Sequence, residues 1–314
     1  MSDFFFENCN FSSDVKLDLI AKGKVRDIYD VRDKHKILLI ASDRASAFDY
    51  NICELDGKGT VLTELAGYWF KKLSNIAENH YIDHYKNYML VKKCNPIKLE
   101  FIVRGYITGS CWKKYSNGER LFCGVILEEG LVKNQQFSKP IITPTTKADF
   151  GHDEDISRDE ILKQGLVSEE DYLQLENYTK AIFQRGTEMA NERGLILVDT
   201  KYEFGKKNDK IFLIDEIHTP DSSRYFYKDG YQERQNNGDS QKQLSKEFVR
   251  EWLMENGFQG KDGQQIPEMN KDFVDSVSKR YIELYENVSG LKFVKGYNQD
   301  PMERIKSNVN DFFK

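Results

Sequence analysis

The 314-residue sequence has no Cys-x-x-C, and its five cysteines, Cys9, Cys53, Cys94, Cys111 and Cys123, are scattered and odd in number. That pattern excludes a disulfide framework and a zinc ribbon, and it predicts reduced, mostly buried thiols. No apolar run approaches the length of a membrane span. The opening MSDFFFENCNFSSD lacks the basic start and long apolar centre of a secretory signal, so a cytoplasmic chain with no membrane partner is expected. Neither sign of charge dominates. Lys+Arg number 46 against 51 Asp+Glu, a net charge of -5, which argues against a general nucleic-acid binder but leaves local basic clusters able to hold small anions. The phosphate-loop signatures G-x-G-x-x-G and G-x-x-x-x-G-K-[ST] are both missing, and there is no internal repeat. His80 and His84 have metal-like spacing, but they lie just beyond a helical pattern, so no helix face aligns the two imidazoles.

What is present is enough chain for a substantial core in two packed lobes, with an ordinary 39% hydrophobic content. The chemistry gathers between Leu195 and Arg224, LILVDTKYEFGKKNDKIFLIDEIHTPDSSR. From Leu195 to Phe204 the residues alternate: Ile196, Val198, Thr200, Tyr202 and Phe204 fall on one side of a strand, and Asp199, Lys201 and Glu203 on the other. A second apolar run, Ile211 to Ile217, follows a polar turn and predicts an antiparallel hairpin. Pairing Gly205 with Ile211 across five residues places Lys201 opposite Asp215 and Glu203 diagonal to it. Two carboxylates beside a lysine suit Mg²⁺ carrying nucleotide phosphates, since a hard cation takes carboxylate oxygens while the ammonium offsets substrate charge. A salt-bridged, solvated strand face is the bland alternative.

Elsewhere, Val15 to Ala21, Ile28 to Val31 and Lys36 to Ala41 read as a β-meander whose first turn, Lys22-Gly23-Lys24-Val25-Arg26, is basic. Such a turn can fold over phosphates, although an exposed hairpin turn has the same composition. Ser42-Asp43-Arg44-Ala45-Ser46 is a dense polar cluster at a strand end, a position suited to ligand contacts or to local turn hydrogen bonds. Leu62, Leu65, Ala66, Trp69, Phe70, Leu73, Ile76 and Ala77 predict an amphipathic helix over Thr63 to Asn79. Strands are expected at Tyr88 to Cys94 and Leu99 to Tyr106, with Asn95-Pro96 as a hinge whose backbone could meet an adenine. Arg104-Gly105-Tyr106-Ile107-Thr108-Gly109-Ser110 lets backbone and guanidinium approach a phosphate closely. Pro140 to Asp155 reads as a long functional loop. Ser157 and Ser168 cap two helices, the second stopping at Gly194. The segment Lys228 to Gln241 reads as polar and mobile, followed by helices near Ser245 to Glu255 and after Pro267.

The order of these motifs is more specific than any one of them. GKVRDIYDV, ASDRASAFD, VRGYITGS, ITPTTKADFGHDEDIS, LVDTKYEFG, LIDEIHTPDSSR and GQQIPEMNKDFVDSVSKRYIELYE together closely resemble the SAICAR synthetase (phosphoribosylaminoimidazole-succinocarboxamide synthase) family, over nearly the whole chain and in its longer, yeast-like form. The resemblance implies an ATP-dependent carbon–nitrogen ligase of purine synthesis. It would join L-aspartate to the carboxylate of carboxyaminoimidazole ribonucleotide (CAIR), giving SAICAR, ADP and phosphate through an acyl phosphate. It implies an α+β, two-lobed fold related to kinases and ATP-grasp enzymes: a β-rich lobe over ATP, residues 1–95, and a larger lobe, 96–314, that includes the C-terminal helices.

Residue by residue, the resemblance assigns Lys24 and Arg26 to the ATP phosphates, and Glu203 and Asp215 to Mg²⁺ and the nucleotide. Arg104, Ser110 and Arg224 are assigned to the ribonucleotide phosphate. Asp199, Lys201 and Asp221 would orient the imidazole and carboxylate, with Lys201 and Asp199 catalytic and Asp43, Arg44, Ser46 and Ser223 in the substrate site. Asp155 stands where the family pattern has asparagine. The family includes monomers and dimers, and the longer form leans toward the monomer. A small-molecule kinase would use the same Mg-ATP hairpin, and a silent nucleotide-binding regulator the same fold; VRGYITGS with TPDSSR argues against the first, and the intact Lys201, Glu203 and Asp215 against the second.

Overall fold

The computed structural model describes residues 17–31, 33–147 and 153–294. The readings that fall on Cys9, Val15 and residues 148–152 of the hydroxyl-rich loop lie outside the described residues. Two compact units divide the chain by contacts: one holds the chain up to Tyr68, His80–Lys93 and the chain from Lys246, the other Trp69–Asn79 and Cys94–Ser245.

The first unit carries β1 (Asp18–Lys22), β2 (Arg26–Asp30), β3 (Lys36–Ala41), β4 (Arg44–Ala47), β5 (Tyr50–Glu54), the start of α1 (Lys58–Lys72), β6 (Tyr81–Tyr85) and β7 (Tyr88–Lys92). Its main sheet runs β1-β2-β3-β7-β6, antiparallel throughout, and β1 to β3 form the expected meander. β3 is the central strand, which is why KILLIA is apolar almost without alternation. β4 and β5 pair across Phe48 and Asp49, both in the left-handed region, the geometry of a tight two-residue hairpin turn.

α1 begins and ends earlier than its periodicity predicts. It begins earlier because the Asp43 carboxylate accepts the N–H groups of Gly57 and Gly59, at 3.2 and 2.9 Å, and so satisfies donors that a helix start leaves open. At the other end, the Ser74 hydroxyl bonds back to the Lys71 carbonyl and the Asn79 amide to the Phe70 carbonyl, ending the helix while the apolar stripe continues through the turns. The C-terminal helices α6 (Glu247–Glu255) and α7 (Lys271–Ser289) group with this first unit, whereas the sequence reading placed them in the larger lobe. Aromatic contacts account for that. Phe258, just after α6, meets Phe48 and Tyr50 with ring centroids 6.2 and 5.5 Å apart, and Lys58 lies over the Tyr281 ring of α7.

The second unit is built on a sheet ordered β11-β8-β12-β14-β15, with β13 also paired to β12. Its elements are β8 (Asn95–Tyr106), α2 (Gly109–Ser116), β9 (Leu121–Phe122), β10 (Val125–Ile126), β11 (Gln136–Thr146), α3 (Arg158–Lys163), α4 (Glu169–Glu192), β12 (Leu195–Lys207), β13 (Lys210–Ile214), β14 (Ser223–Tyr227), α5 (Tyr231–Asn237) and β15 (Gln243–Leu244). The Ser157 capping box and the Ser168 cap open α3 and α4 as expected. Tyr172 and Tyr178 of α4 meet Phe101 and Phe204, so this helix covers one face of the sheet. Burying Phe101, Tyr172 and Phe204 contributes roughly 1.5–3 kcal/mol for each ring.

Three further expectations are corrected here. Asn95-Pro96 is the paired start of β8 and not a loop, although the division between the two units falls just before it, between Lys93 and Cys94. Pro140 to Thr146 belongs to β11: its β-branched residues pair with β8, and the prolines are tolerated because β11 is the sheet edge. The polar stretch after Lys228 contains a helix, α5, closed at both ends by glycines in the left-handed region, Gly230 and Gly238. Among the described residues no helix is long and apolar enough to cross a membrane. The described cysteines are all free, with Cys111 buried and the other three half-buried.

Candidate active site

On β12 the alternation places Asp199, Lys201 and Glu203 on one face, as the sequence predicts, but that face is not solvated: Asp199 is 3% exposed and Glu203 4%. Its neighbours explain why. An extra residue on β12 shifts its register against β14, so Asp199 stands directly between Arg104 of β8 and Arg224 of β14. Both guanidinium groups donate to the same Asp199 oxygen, Arg224 at 2.5 Å and Arg104 at 3.4 Å. Arg104 also donates to the Thr143 hydroxyl at 2.9 Å and to the Ser110 hydroxyl at 3.1 Å. Burial lowers the pKa of Arg104 and Asp199 opposes that effect.

Ser110 stands in the first turn of α2, where the Thr108 side chain makes no capping bond. Gly109 has φ +56°, and a Cβ there would lie 2.5 Å from an Arg224 nitrogen. Only glycine lets the guanidinium lie against this helix start. Two arginines share one carboxylate oxygen beside a helix N-terminus and a hydroxyl, an arrangement of donors suited to a phosphate.

A second cluster adjoins it, two residues or about 7 Å along the same strand face. The Lys201 ammonium bonds to Glu203, to Glu100 at 2.9 Å and approaches Asp215 at 3.8 Å, and Lys147 bonds to the other Glu203 oxygen. Glu100 and Glu203 are cross-strand partners, a like-charge pairing that the lysine makes tolerable. Burial pulls the Lys201 pKa down, but Glu203, Asp215 and Glu100 outweigh it and hold the group well above its ordinary value. Burial likewise pushes Glu203 up, and Lys201 and Lys147 bring it below the usual carboxylate range.

The hairpin register differs from the expected one by a residue. Lys207 pairs with Lys210 across Asn208 and Asp209, both left-handed, so Gly205 faces Phe212 and Glu203 faces Ile214. Regular alternation would turn Asp215 away from Lys201. Asp215 itself has φ 64°, which breaks the alternation and returns its carboxylate to the cluster.

The remaining sequence-predicted residues divide by unit. Asp221 lies in the turn after β13, its N–H bonded to the Thr219 hydroxyl at 3.3 Å, and the buried Ser223 donates its hydroxyl to Thr200 at 2.7 Å. In the first unit, Lys24 pairs with Asp49, both exposed. Arg44 bonds to Asp27 at 2.7 Å and to the carbonyls of Gly23 and Lys24, bracing the basic turn before Arg26. Asp43 holds the start of α1, and Ser46 sits on β4 opposite Asn51.

Comparison with known proteins settles the family. The SAICAR synthetase model matches residues 19–267. The chain is 56% identical to the phosphoribosylaminoimidazole-succinocarboxamide synthase of Cytophaga hutchinsonii over 290 residues, 92% of this chain and 93% of that one. It is 56% identical to that of Bacteroides thetaiotaomicron over 293 residues, 92% and 93% of the two chains. The SAICAR synthase of Saccharomyces cerevisiae, solved complexed with SAICAR, superposes with a TM-score of 0.76 at 36% identity, covering 91% of this chain and 99% of that one. The chain belongs to the SAICAR synthetase family. It is accordingly a carbon–nitrogen ligase of purine biosynthesis, and the family uses ATP as co-substrate.

Mg²⁺ is the remaining group that the family resemblance implies. Among the described residues no three His, Cys, Asp or Glu side chains are arranged to hold an ion. The donor chemistry nonetheless fits a hard cation: Glu100, Glu203 and Asp215 are oxygen donors gathered around Lys201. An ion held by Glu203 and Asp215 has to displace Lys201 from them. In this SAICAR synthetase Glu100, Lys147 and Thr143 bond within the two clusters without having been singled out in the sequence. Glu100 left a signal, an acid four residues before Arg104 in the same strand. Lys147 lies within the TPTTKA motif, where it was read as part of a loop. Asp155, at the asparagine position, is paired with Lys114 at 2.6 Å.

Proposed function

We propose that this SAICAR synthetase activates CAIR with ATP before aspartate attacks, and that the two clusters on β12 divide the work. A carboxylate is a poor electrophile. An oxygen of the CAIR carboxylate attacks the γ-phosphorus and ADP departs; the aspartate nitrogen then attacks the acyl carbon and phosphate leaves with the C–O bonding pair. Arg104, Arg224 and Ser110 hold the ribonucleotide phosphate, and Asp199 keeps the two guanidinium groups side by side. Lys201 stabilises negative charge where the carboxylate and γ-phosphoryl group meet. Lys24 and Arg26 contact the ATP phosphates. Glu203 and Asp215 hold Mg²⁺, which supplies charge neutralisation to the phosphates when bound.

The observation that carries this reading is the row Arg104, Asp199 and Arg224 across three strands, beside Ser110 at the start of α2. Buried charge of that density is costly as scaffolding and useful as an anion site. Purified protein incubated with ATP, Mg²⁺ and CAIR, with and without L-aspartate, tests the proposal. Aspartate-dependent SAICAR formation is expected; transfer of phosphate to a stable product would establish a kinase instead, and nucleotide binding without turnover a silent regulator.

A further inference from the structure

The turn between β13 and β14 carries Asp215 at one end and leads into Arg224 at the other, so it serves both clusters. At its centre His218 is fully buried, has φ 53°, and is kept neutral by burial, with its pKa lowered to about 3. One ring nitrogen shares a 2.6 Å hydrogen bond with the Tyr202 hydroxyl, and the His218 carbonyl accepts the Tyr225 hydroxyl at 3.1 Å. Tyr202 lies between Lys201 and Glu203 on β12, and Tyr225 follows Arg224 on β14. Trp69 packs edge-on against the imidazole with centroids 4.6 Å apart. From α4, Gly186 leaves room for the ring, since a Cβ there would come within 2.2 Å of His218 Cε1.

The geometry points to His218 as a positioning residue that sets the nucleotide cluster and the ribonucleotide-phosphate cluster at once, through the one turn that joins them. This rests on the residue roles proposed above. The imidazole touches no reacting atom. It ties the turn to both strands from the far side, and its left-handed backbone fixes the direction of the chain between Asp215 and Asp221. A neutral ring suits this place, because an imidazolium there would have no carboxylate partner and would resist burial.

Two variants probe the anchor from opposite sides without altering His218 or either cluster. Tyr202→Phe removes only the hydroxyl bonded to the ring, and Gly186→Ala presses a methyl group against it. Steady-state kinetics, calorimetric Kd values for ATP and for CAIR, and thermal unfolding are measured for each. Both variants are expected to keep the wild-type circular dichroism spectrum, to lower kcat/KM by about 10-fold, and to raise the Kd for ATP and for CAIR together, since small misplacements of reacting groups are amplified. A lowered Tm with unchanged Kd and kcat per folded molecule would overturn the inference, leaving His218 as packing. A change confined to one ligand would overturn it too. Wild-type protein that binds both ligands without forming SAICAR would sink the reaction proposed above, while the variants' Kd values would still decide the anchor.

Discussion

Replacing Lys201 by methionine keeps most of the side chain's volume and removes the charge between Glu203, Glu100 and Asp215. Breaking a buried ion pair from one side typically costs about 3–5 kcal/mol. Lys147 still neutralises one Glu203 oxygen, and the Lys201 side chain is 27% exposed, so the cost falls to or below the lower edge of that range, about 2–3 kcal/mol near neutral pH. For a unit of this size that corresponds to roughly 5–10 °C in Tm. The pH dependence is more diagnostic than the size. In the native protein the Glu203 pKa is below its ordinary value, so its contribution is present above the unfolded carboxylate pKa and is lost as pH falls through the folded one. Without Lys201 the burial effect gains weight, the Glu203 pKa rises, and protonation relieves the repulsion with Glu100. The gap between native and variant Tm should therefore be widest near pH 8 and close progressively as the pH is lowered through the carboxylate range. Differential scanning calorimetry in matched buffers measures it. A gap that stays constant from pH 8 to pH 4 would refute the electrostatic account and leave only lost packing.

Asp215→Asn should abolish SAICAR formation while leaving the circular dichroism spectrum unchanged; near-native turnover would remove Asp215 from the nucleotide and metal role. Gly109→Ala should displace the Arg224 guanidinium, raising the KM for CAIR at least about 10-fold with a much smaller change for ATP, and cost about 1 kcal/mol of stability at this left-handed position; equal changes in both KM values would argue against a phosphate site there. Asp43→Ala removes the carboxylate that holds the start of α1 and should lower stability by about 1 kcal/mol, read by denaturant unfolding. If Asp43→Ala unfolds as the native protein does and instead loses activity, its assignment to the substrate site is the better one.

Much of this site was legible because strand alternation is a rigid constraint. With Asp199, Lys201 and Glu203 at every second position, any β reading puts them on one face, and the structure does so. The burial of that face was not legible, since it depends on Arg104, Glu100 and Arg224 arriving from strands distant in sequence. Register was missed for a local reason: the polar stretch after Gly205 was read as a loop, whereas Asn208 and Asp209 alone make the turn and the strand continues through Lys206 and Lys207. Asp215 still reached Lys201 because its own backbone is left-handed, a conformation an aspartate tolerates but does not announce. Arg44 and Asp43, whose density of charge suited either ligand contacts or local turn hydrogen bonds, make local bonds here: one braces the basic turn and the other holds a helix start.

The charge row itself argues for what the sheet is arranged to do. Arg104 and Asp199 are both nearly inaccessible, and Arg224 donates to the same carboxylate oxygen, so two guanidinium groups and a carboxylate are gathered in a place where water compensates poorly. A scaffold gains little from such an arrangement, since apolar residues of similar volume would pack as stably. In the proposed function, a phosphate placed against Ser110 and the α2 N-terminus adds negative charge beside the two guanidinium groups, so that ligand binding stabilises the folded row. The neighbouring cluster gathers the carboxylates of Glu100, Glu203 and Asp215 around Lys201, oxygen donors of the kind that a hard cation takes. Under the proposed roles, the two adjoining clusters on one strand face let a ligase hold an anionic nucleotide beside a second phosphate with charged protein groups between them.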